Sequence, residues 1–188
     1  MSGSSPAVFL DRDGTLIEEM GYLSDPNKVR LEEGVVEGLA ALAARGHPLV
    51  VLSNQSGIGR GMFTEGDAHR VNERLAAMLR EREVEILAWY LCPHVPNDSC
   101  ACRKPMPGMA LAAARDCHLE LPGSYVIGDT RADVELADAI GGTGILLTTG
   151  HGAEFTEWAR VQARPVFGDM RRVAEYIVDC DIDAAPVS

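Results

Sequence analysis

The chain has 188 residues, of which 46% are apolar and 24% charged. That is the size and composition of one globular domain, and it excludes collagen-like, low-complexity and wholly disordered readings. Seventeen basic residues against 28 acidic ones leave a net charge of −11, a field that repels nucleic acid and anionic lipid.

No apolar run approaches the ~20 residues of a membrane helix. Residues 1–6 lack the basic start and apolar stretch of a secretory signal and read as a flexible tail. Residues 181–188 read as a C-terminal tail. The five cysteines are an odd number. With no export signal, a reducing cytoplasmic compartment is expected, where clustered cysteines bind metal before they pair as disulfides.

Ala7 to Leu10 is a short apolar run that ends on Asp11 and reads as a buried strand. A helix follows over Gly34 to Arg45, with Val35, Val36, Leu39, Leu42 and Ala43 at helical spacing and Gly46 as its stop. Pro48 to Ser53 reads as a second strand, followed by a Gly-rich stretch from Gln55 to Gly61. Thr64 has the character of an N-cap for a helix carrying Val71, Leu75, Met78 and Leu79 on one face.

Ile86 to Tyr90 is the third strand, and a Cys-rich loop runs from Cys92 to Cys102. Then come a helix over about residues 107–117, a strand over Tyr125 to Ile127 and a helix over 132–140. Strands at 144–148 and 165–167 and a helix at 170–178 complete the series. Strands alternating with helices imply an α/β, Rossmann-like domain over residues 7–180: a parallel sheet with helices on both faces. The stretches Leu16 to Gly34 and Gln55 to Thr64 are too short for a cap domain. Ligands of open parallel sheets lie beyond the carboxyl ends of the strands. The first, second and fourth strands end at Asp11, Ser53 and Asp129, which places the chemistry there.

Asp11 and Asp13, two residues apart in extended chain, can face one site, and Gly14 permits the turn after them. A polar turn and a calcium loop are the alternatives. The latter needs ligands that an immediate glycine does not leave room for. Ser53, Asn54 and Gln55 offer a hydroxyl and free backbone N–H groups to an anion. Arg103 and Lys104 are adjacent cations before a helix, suited to phosphate or equally to solvent. Gly128-Asp129 to Asp133 repeats a carboxylate at a strand end, with a second one helical turn on; an N-cap is the plainer role for Asp129.

Cys92, His94, Cys100 and Cys102 supply three thiolates and an imidazole, a tetrahedral set for zinc. Four protein ligands leave no open position, so the zinc-binding loop is expected to be structural. A redox site or a metal-free loop are the alternatives. His47, His69 and His118 are expected at the surface, and His151 receives no role.

In order, Asp11-Arg12-Asp13-Gly14-Thr15, Ser53, Lys104 and Gly128-Asp129 with Asp133 resemble the haloacid dehalogenase superfamily of phosphatases over about residues 7–150. The resemblance implies Asp11 as nucleophile forming an aspartyl-phosphate, and Asp13 as general acid and base. It implies Mg²⁺ held by the Asp11 carboxylate, the Asp13 carbonyl and Asp129, with Ser53 and Lys104 on the phosphoryl oxygens. Thr15 would fix the first loop, and Asp133 would orient Lys104 or a metal-bound water.

The cysteine pattern just before Arg103-Lys104-Pro105 resembles the branch that holds heptose-bisphosphate and histidinol-phosphate phosphatases. The segments Glu19-Met20-Gly21-Tyr22 and Ser53 to Gly61 fit that branch too. It implies substrate contacts from Glu19, Met20, Gly21, Tyr22, Asn54, Gln55, Ser56 and Arg103, and an open, capless pocket. The substrate implied is a sugar bisphosphate, the 7-phosphate of a heptose 1,7-bisphosphate used for ADP-heptose and lipopolysaccharide core; histidinol phosphate is the runner-up.

Two departures stand out: the stretch between His94 and Cys100 is short, and Thr130 follows the metal-binding Asp where some members have Lys. A monomer is expected, with no nucleic-acid or membrane partner. The reading from a different class is a catalytically silent, zinc-stabilised interaction module.

Overall fold

Val8, Phe9 and Leu10 alternate about the pleat, so even this three-residue strand feeds two opposite layers. In the computed structural model, which describes residues 6–184, it is β1 (Val8–Leu10) and lies at the centre of a six-stranded sheet. The others are β2 (Leu49–Asn54), β3 (Ala88–Cys92), β4 (Tyr125–Gly128), β5 (Thr143–Leu147) and β6 (Val166–Phe167). The order is β3-β2-β1-β4-β5-β6, and every pairing is parallel.

The helices are α1 (Val35–Ala44), α2 (Ser56–Gly59), α3 (Glu65–Arg80), α4 (Gly108–Cys117), α5 (Arg131–Ile140), α6 (Gly152–Val161) and α7 (Met170–Ala184). Val8, Leu10, Leu49, Val51 and Ile127 pack on one face with Leu39 and Leu42 of α1, Val71, Leu75 and Leu79 of α3, and Val173 and Ile177 of α7. Phe9, Val50, Leu52 and Val126 point the other way, onto Met109 and Ala113 of α4 and Leu136 and Ile140 of α5. Each such fully buried Val, Leu, Ile, Phe or Met side chain contributes about 1.5–3 kcal/mol. The α/β fold with helices on both faces is therefore as the sequence predicts. The two stretches judged too short for a cap hold only a one-turn helix each, Pro26–Lys28 and Ser56–Gly59.

The differences have local causes. The third strand lies two residues later than its apolar run, so Cys92 closes β3 instead of opening the loop. Pairing decides this: Asn54 of β2 aligns with Cys92. Helix α6 was not foreseen, because Gly150 lies just before it, Gly152 opens it and its buried side is small; Ala159 meets Val134 and Leu146. Helix α7 continues past Val178 to Ala184, through four residues of the expected tail; residues 185–188, and 1–5 of the N-terminal tail, lie outside the described residues.

His47, expected at the surface, is buried. Its ring bridges the Pro6 carbonyl (2.7 Å) and Asp181 Oδ2 (2.8 Å), edge-on to Tyr125. These partners come from far along the chain, so no local pattern announces them.

From β1 the chain builds β2 and β3 on one side, then crosses to lay β4, β5 and β6 on the other. That reversal opens a crevice beyond the carboxyl ends of β1 and β4. Asp11 follows β1 directly, its N–H donating to the Ile127 carbonyl of β4 at 2.9 Å, and Asp129 follows β4.

Candidate active site

Asp11, Asp129 and Asp133 each bring a carboxylate oxygen within 4.8 Å of one another. Three anions so close and so buried need cations. Lys104 supplies one. Its Nζ lies 2.6 Å from Asp11 Oδ1 and 2.6 Å from Asp133 Oδ1, and it donates to the Leu52 carbonyl at 2.5 Å. An ammonium has three N–H donors, and three oxygens surround it. Burial alone would discharge this lysine, but Asp11 and Asp133 outweigh it and raise its pKa above the ordinary value.

Asp133 is shared. Its Oδ2 accepts from the N–H and hydroxyl of Thr130, closing a capping box at the start of α5. The helix start thus fixes the lysine's second partner, and of the two roles expected of Asp133, Lys104 or a metal-bound water, the carboxylate faces Lys104.

Burial, partly opposed by Lys104, lifts Asp11 well above the usual carboxylate range. Burial also lifts Asp129 to about 7, against the His151 N–H that donates to its Oδ2 at 2.8 Å. Asp129 Oδ1 is buried with no hydrogen-bond partner. A Cβ on Gly14 or on Gly150 would lie 2.3 Å from Asp129 Oδ2, so both glycines keep space open around this carboxylate. An orphaned buried oxygen in such a cradle, beside a second carboxylate, fits a divalent cation bound by oxygen ligands.

Asp129 also carries a stability consequence. Without metal, the folded state favours its protonated form, so the stability this provides is full below about pH 4 and is lost as pH rises through about 7. Asp129→Asn keeps an acceptor for His151 and removes the charge. At pH 8 the metal-free variant should melt above the metal-free parent, by on the order of 1–4 kcal/mol. Added Mg²⁺ should stabilise the parent and leave the variant unchanged. Equal Mg²⁺ shifts in both would refute Asp129 as a ligand.

Asp13 is held from the side. Fully buried Arg12 donates Nε to Asp13 Oδ2 (3.0 Å) and an Nη to Oδ1 (3.1 Å), with its other Nη on Asn72 Oδ1 of α3 (2.9 Å). Gln55 Nε2 joins Asp13 Oδ2 (2.8 Å) to Ser53 Oγ (2.7 Å). Ser53 is buried beneath the site, engaged by Gln55 and still able to donate its own proton.

The role expected of Thr15 belongs elsewhere. Its Oγ1 is buried without a partner, and Thr149 Oγ1 fixes the first loop by donating to the Gly14 carbonyl at 2.6 Å. Sequence reasoning missed Arg12, Thr149 and the His151 N–H. Arg12 had a signal: it alternates to the buried side of a strand end, where an arginine needs a carboxylate.

Two adjoining cavities open over these groups, of about 260 and 380 Å³. The smaller is walled by Glu19, Gly21, Tyr22, Asn54, Gln55 and Ser56. The larger holds Asp11, Lys104, Asp129 and Asp133, with Arg103 at its edge. Glu19 Oε1 accepts from the Gly21 N–H (2.6 Å), which shapes that wall. Met20 is half-exposed and lines neither cavity.

Cys92, His94, Cys100 and Cys102 also converge, with one ligand atom of each within 4.8 Å of the others. Cys92 Sγ is 3.5 Å from His94 Nδ1 and 3.7 Å from Cys100 Sγ, and Cys102 Sγ is 3.2 Å from His94 Nδ1. Donors about 2.0–2.3 Å from a tetrahedral ion sit at such separations, so the four fit zinc. Burial pushes the Cys92 thiol up to about 12, so it would stay protonated until a cation arrived.

The HAD-hydrolase-like family model matches residues 101–172. D-glycero-beta-D-manno-heptose-1,7-bisphosphate 7-phosphatase of Salmonella typhi is 35% identical over 187 residues, covering 95% of this chain and 93% of that protein. The chain belongs to the haloacid dehalogenase-like phosphatases. Within that family, the protein of the same name from Escherichia coli K12 is 40% identical over 80% of this chain and 83% of its own length. The D,D-heptose 1,7-bisphosphate phosphatase of B. bronchiseptica, solved with magnesium and phosphate, is 29% identical. It superposes with a TM-score of 0.83 over 93% of this chain and 99% of its own. As a phosphatase of this family, the chain is a phosphoric monoester hydrolase.

Proposed function

We propose that the protein removes the 7-phosphate of a heptose 1,7-bisphosphate through an aspartyl-phosphate at Asp11, in the cytoplasm, as a step towards ADP-heptose for lipopolysaccharide core. One observation carries the chemistry: Lys104 is clamped between Asp11 and Asp133 beside the orphaned oxygen of Asp129. The substrate reading rests on what the relatives named above act on.

Asp11 Oδ attacks phosphorus, and the departing sugar oxygen takes a proton from Asp13. Water then attacks the acyl-phosphate and gives its proton back to Asp13, which restores both carboxyl groups. The nucleophile is an anion approaching an anion. Lys104 and the Ser53 hydroxyl meet the charge that shifts onto the phosphoryl oxygens. Mg²⁺, held by Asp11, the Asp13 carbonyl and Asp129, would neutralise the remaining repulsion. Arg12 and Gln55 keep Asp13 aimed. Arg103, which lines the larger cavity, would meet the second phosphate.

Zinc in the cysteine cluster would brace the loop that delivers Arg103 and Lys104, and the enzyme is proposed to act as a monomer. Glu19, Gly21, Tyr22 and Ser56 wall the space a sugar would fill.

Lys104→Met should lower kcat/KM by about 10²–10³-fold, the scale of losing one transition-state donor. A loss under fivefold would remove Lys104 from the phosphoryl site. The substrate assignment is tested by phosphate release over a panel of sugar bisphosphates, sugar monophosphates and histidinol phosphate. Heptose 1,7-bisphosphate should give the highest kcat/KM, since discrimination is differential transition-state binding. Turnover confined to histidinol phosphate would overturn the substrate. No turnover of any phosphomonoester would favour the zinc-stabilised interaction module instead.

A further inference from the structure

We infer that Asn54 is a positioning residue for Lys104, and that its carboxamide docks the lysine's main chain rather than reading the substrate. This rests on the phosphatase reading above. Asn54 Oδ1 accepts from the Lys104 N–H at 3.0 Å, and Asn54 Nδ2 donates to the Lys104 carbonyl at 3.3 Å. The carboxamide therefore meets both main-chain groups of one residue, as a neighbouring strand would.

The same strand holds the other end of Lys104. Its Nζ donates to the Leu52 carbonyl, two residues before Asn54 in β2. Lys104 itself lies outside every strand and helix, in the loop that follows Cys102. Main chain without a ladder of its own needs another partner for its polar groups. Asn54 is that partner, and it sits where β2 aligns with Cys92 of the cysteine cluster. One strand end thus sets both the height and the reach of the ammonium that meets Asp11. Asp or Ser at 54 would not serve: a carboxylate repels the Lys104 carbonyl, and a hydroxyl is too short to span N–H and C=O together.

The position also lines both cavities, so substrate contact is the rival reading. The two differ in what a substrate without a sugar reports. Asn54→Ala should lower kcat about 10–100-fold on both a sugar bisphosphate and p-nitrophenyl phosphate, the range produced by misplacing a catalytic group by about 1 Å. KM should change little. In a Lys104→Met background the same change should add less than twofold, because the group it positions is gone. Zinc content should match the parent, and melting temperature should fall only modestly, as two main-chain groups lose their partner.

A loss confined to the sugar bisphosphate, or one that multiplies with Lys104→Met, would overturn the assignment. If Asn54→Ala folds poorly, Asn54→Ser gives the same comparison. A crystal structure of the variant reads the proposal without turnover, and so separates its failure from that of the phosphatase reading. Lys104 Nζ should leave the Leu52 carbonyl and Asp11; an unmoved Nζ would refute the role.

Discussion

Asp11→Asn should lower phosphate release by about four to six orders of magnitude, the scale on which loss of a covalent nucleophile acts. The carboxamide is nearly isosteric and can still accept from Lys104 Nζ, now 2.6 Å from Asp11 Oδ1, but it cannot form an acyl-phosphate. The fold should survive. Burial, opposed by Lys104 and reinforced by Asp133, Asp129 and Asp13, disfavours a charge at this site, so removing that charge relieves repulsion. Melting temperature should therefore equal or exceed the parent's. Acid quench of the parent during turnover should give a phosphorylated peptide containing Asp11, and the variant should give none. Turnover within tenfold of the parent would end the nucleophile assignment.

Zinc removal should have the second-largest effect, and on a different property. Elemental analysis should find one zinc per chain, and Cys92→Ser should lose it. Structural zinc is worth ~10–16 kcal/mol in small peptides that fold only around it. Here the sheet has its own core, so only the loop from Cys92 to Lys104 is at stake. A loss of ~3–5 kcal/mol would lower the melting temperature by roughly 6–20 °C for a chain of this size.

Activity should fall with it, because Cys102 is two residues from Lys104 and a slack loop delivers the ammonium badly. Brief mild chelation should instead strip Mg²⁺, stop turnover reversibly and leave the melting curve of the cysteine loop intact. Unchanged zinc content and melting temperature in Cys92→Ser would refute the tetrahedral set.

Much of the site was legible in the linear chain because each group sits at the end of an apolar run. Asp11 and Asp129 follow β1 and β4 directly, Ser53 is the last but one residue of β2, and parallel strands deliver their carboxyl ends to one edge. The four zinc-type ligands were legible for a similar reason: they fall within one short stretch of chain, at and just after the end of β3, where spacing already implies proximity. What spacing cannot carry is the direction in which a polar side chain spends its hydrogen bonds. Asn54, expected to meet substrate, lines both cavities and also grips Lys104, fifty residues away. Thr15 was expected to hold the first loop, and Thr149, just after β5, holds it from far along the chain. His47 was expected outside and is buried against Asp181.

The sequence by itself determined the sheet, its two apolar faces, the carboxylates at the strand ends and the cysteine cluster, since all follow from periodicity, strand ends and short-range spacing. Only the tertiary structure decided the pairing of Arg12 with Asp13, the three-oxygen seat of Lys104, the vacant oxygen of Asp129 and the grip of Asn54. The reason is physical. Burying apolar groups needs only the right pattern, whereas each buried donor or acceptor needs one particular partner at hydrogen-bond distance, and topology alone brings such partners together.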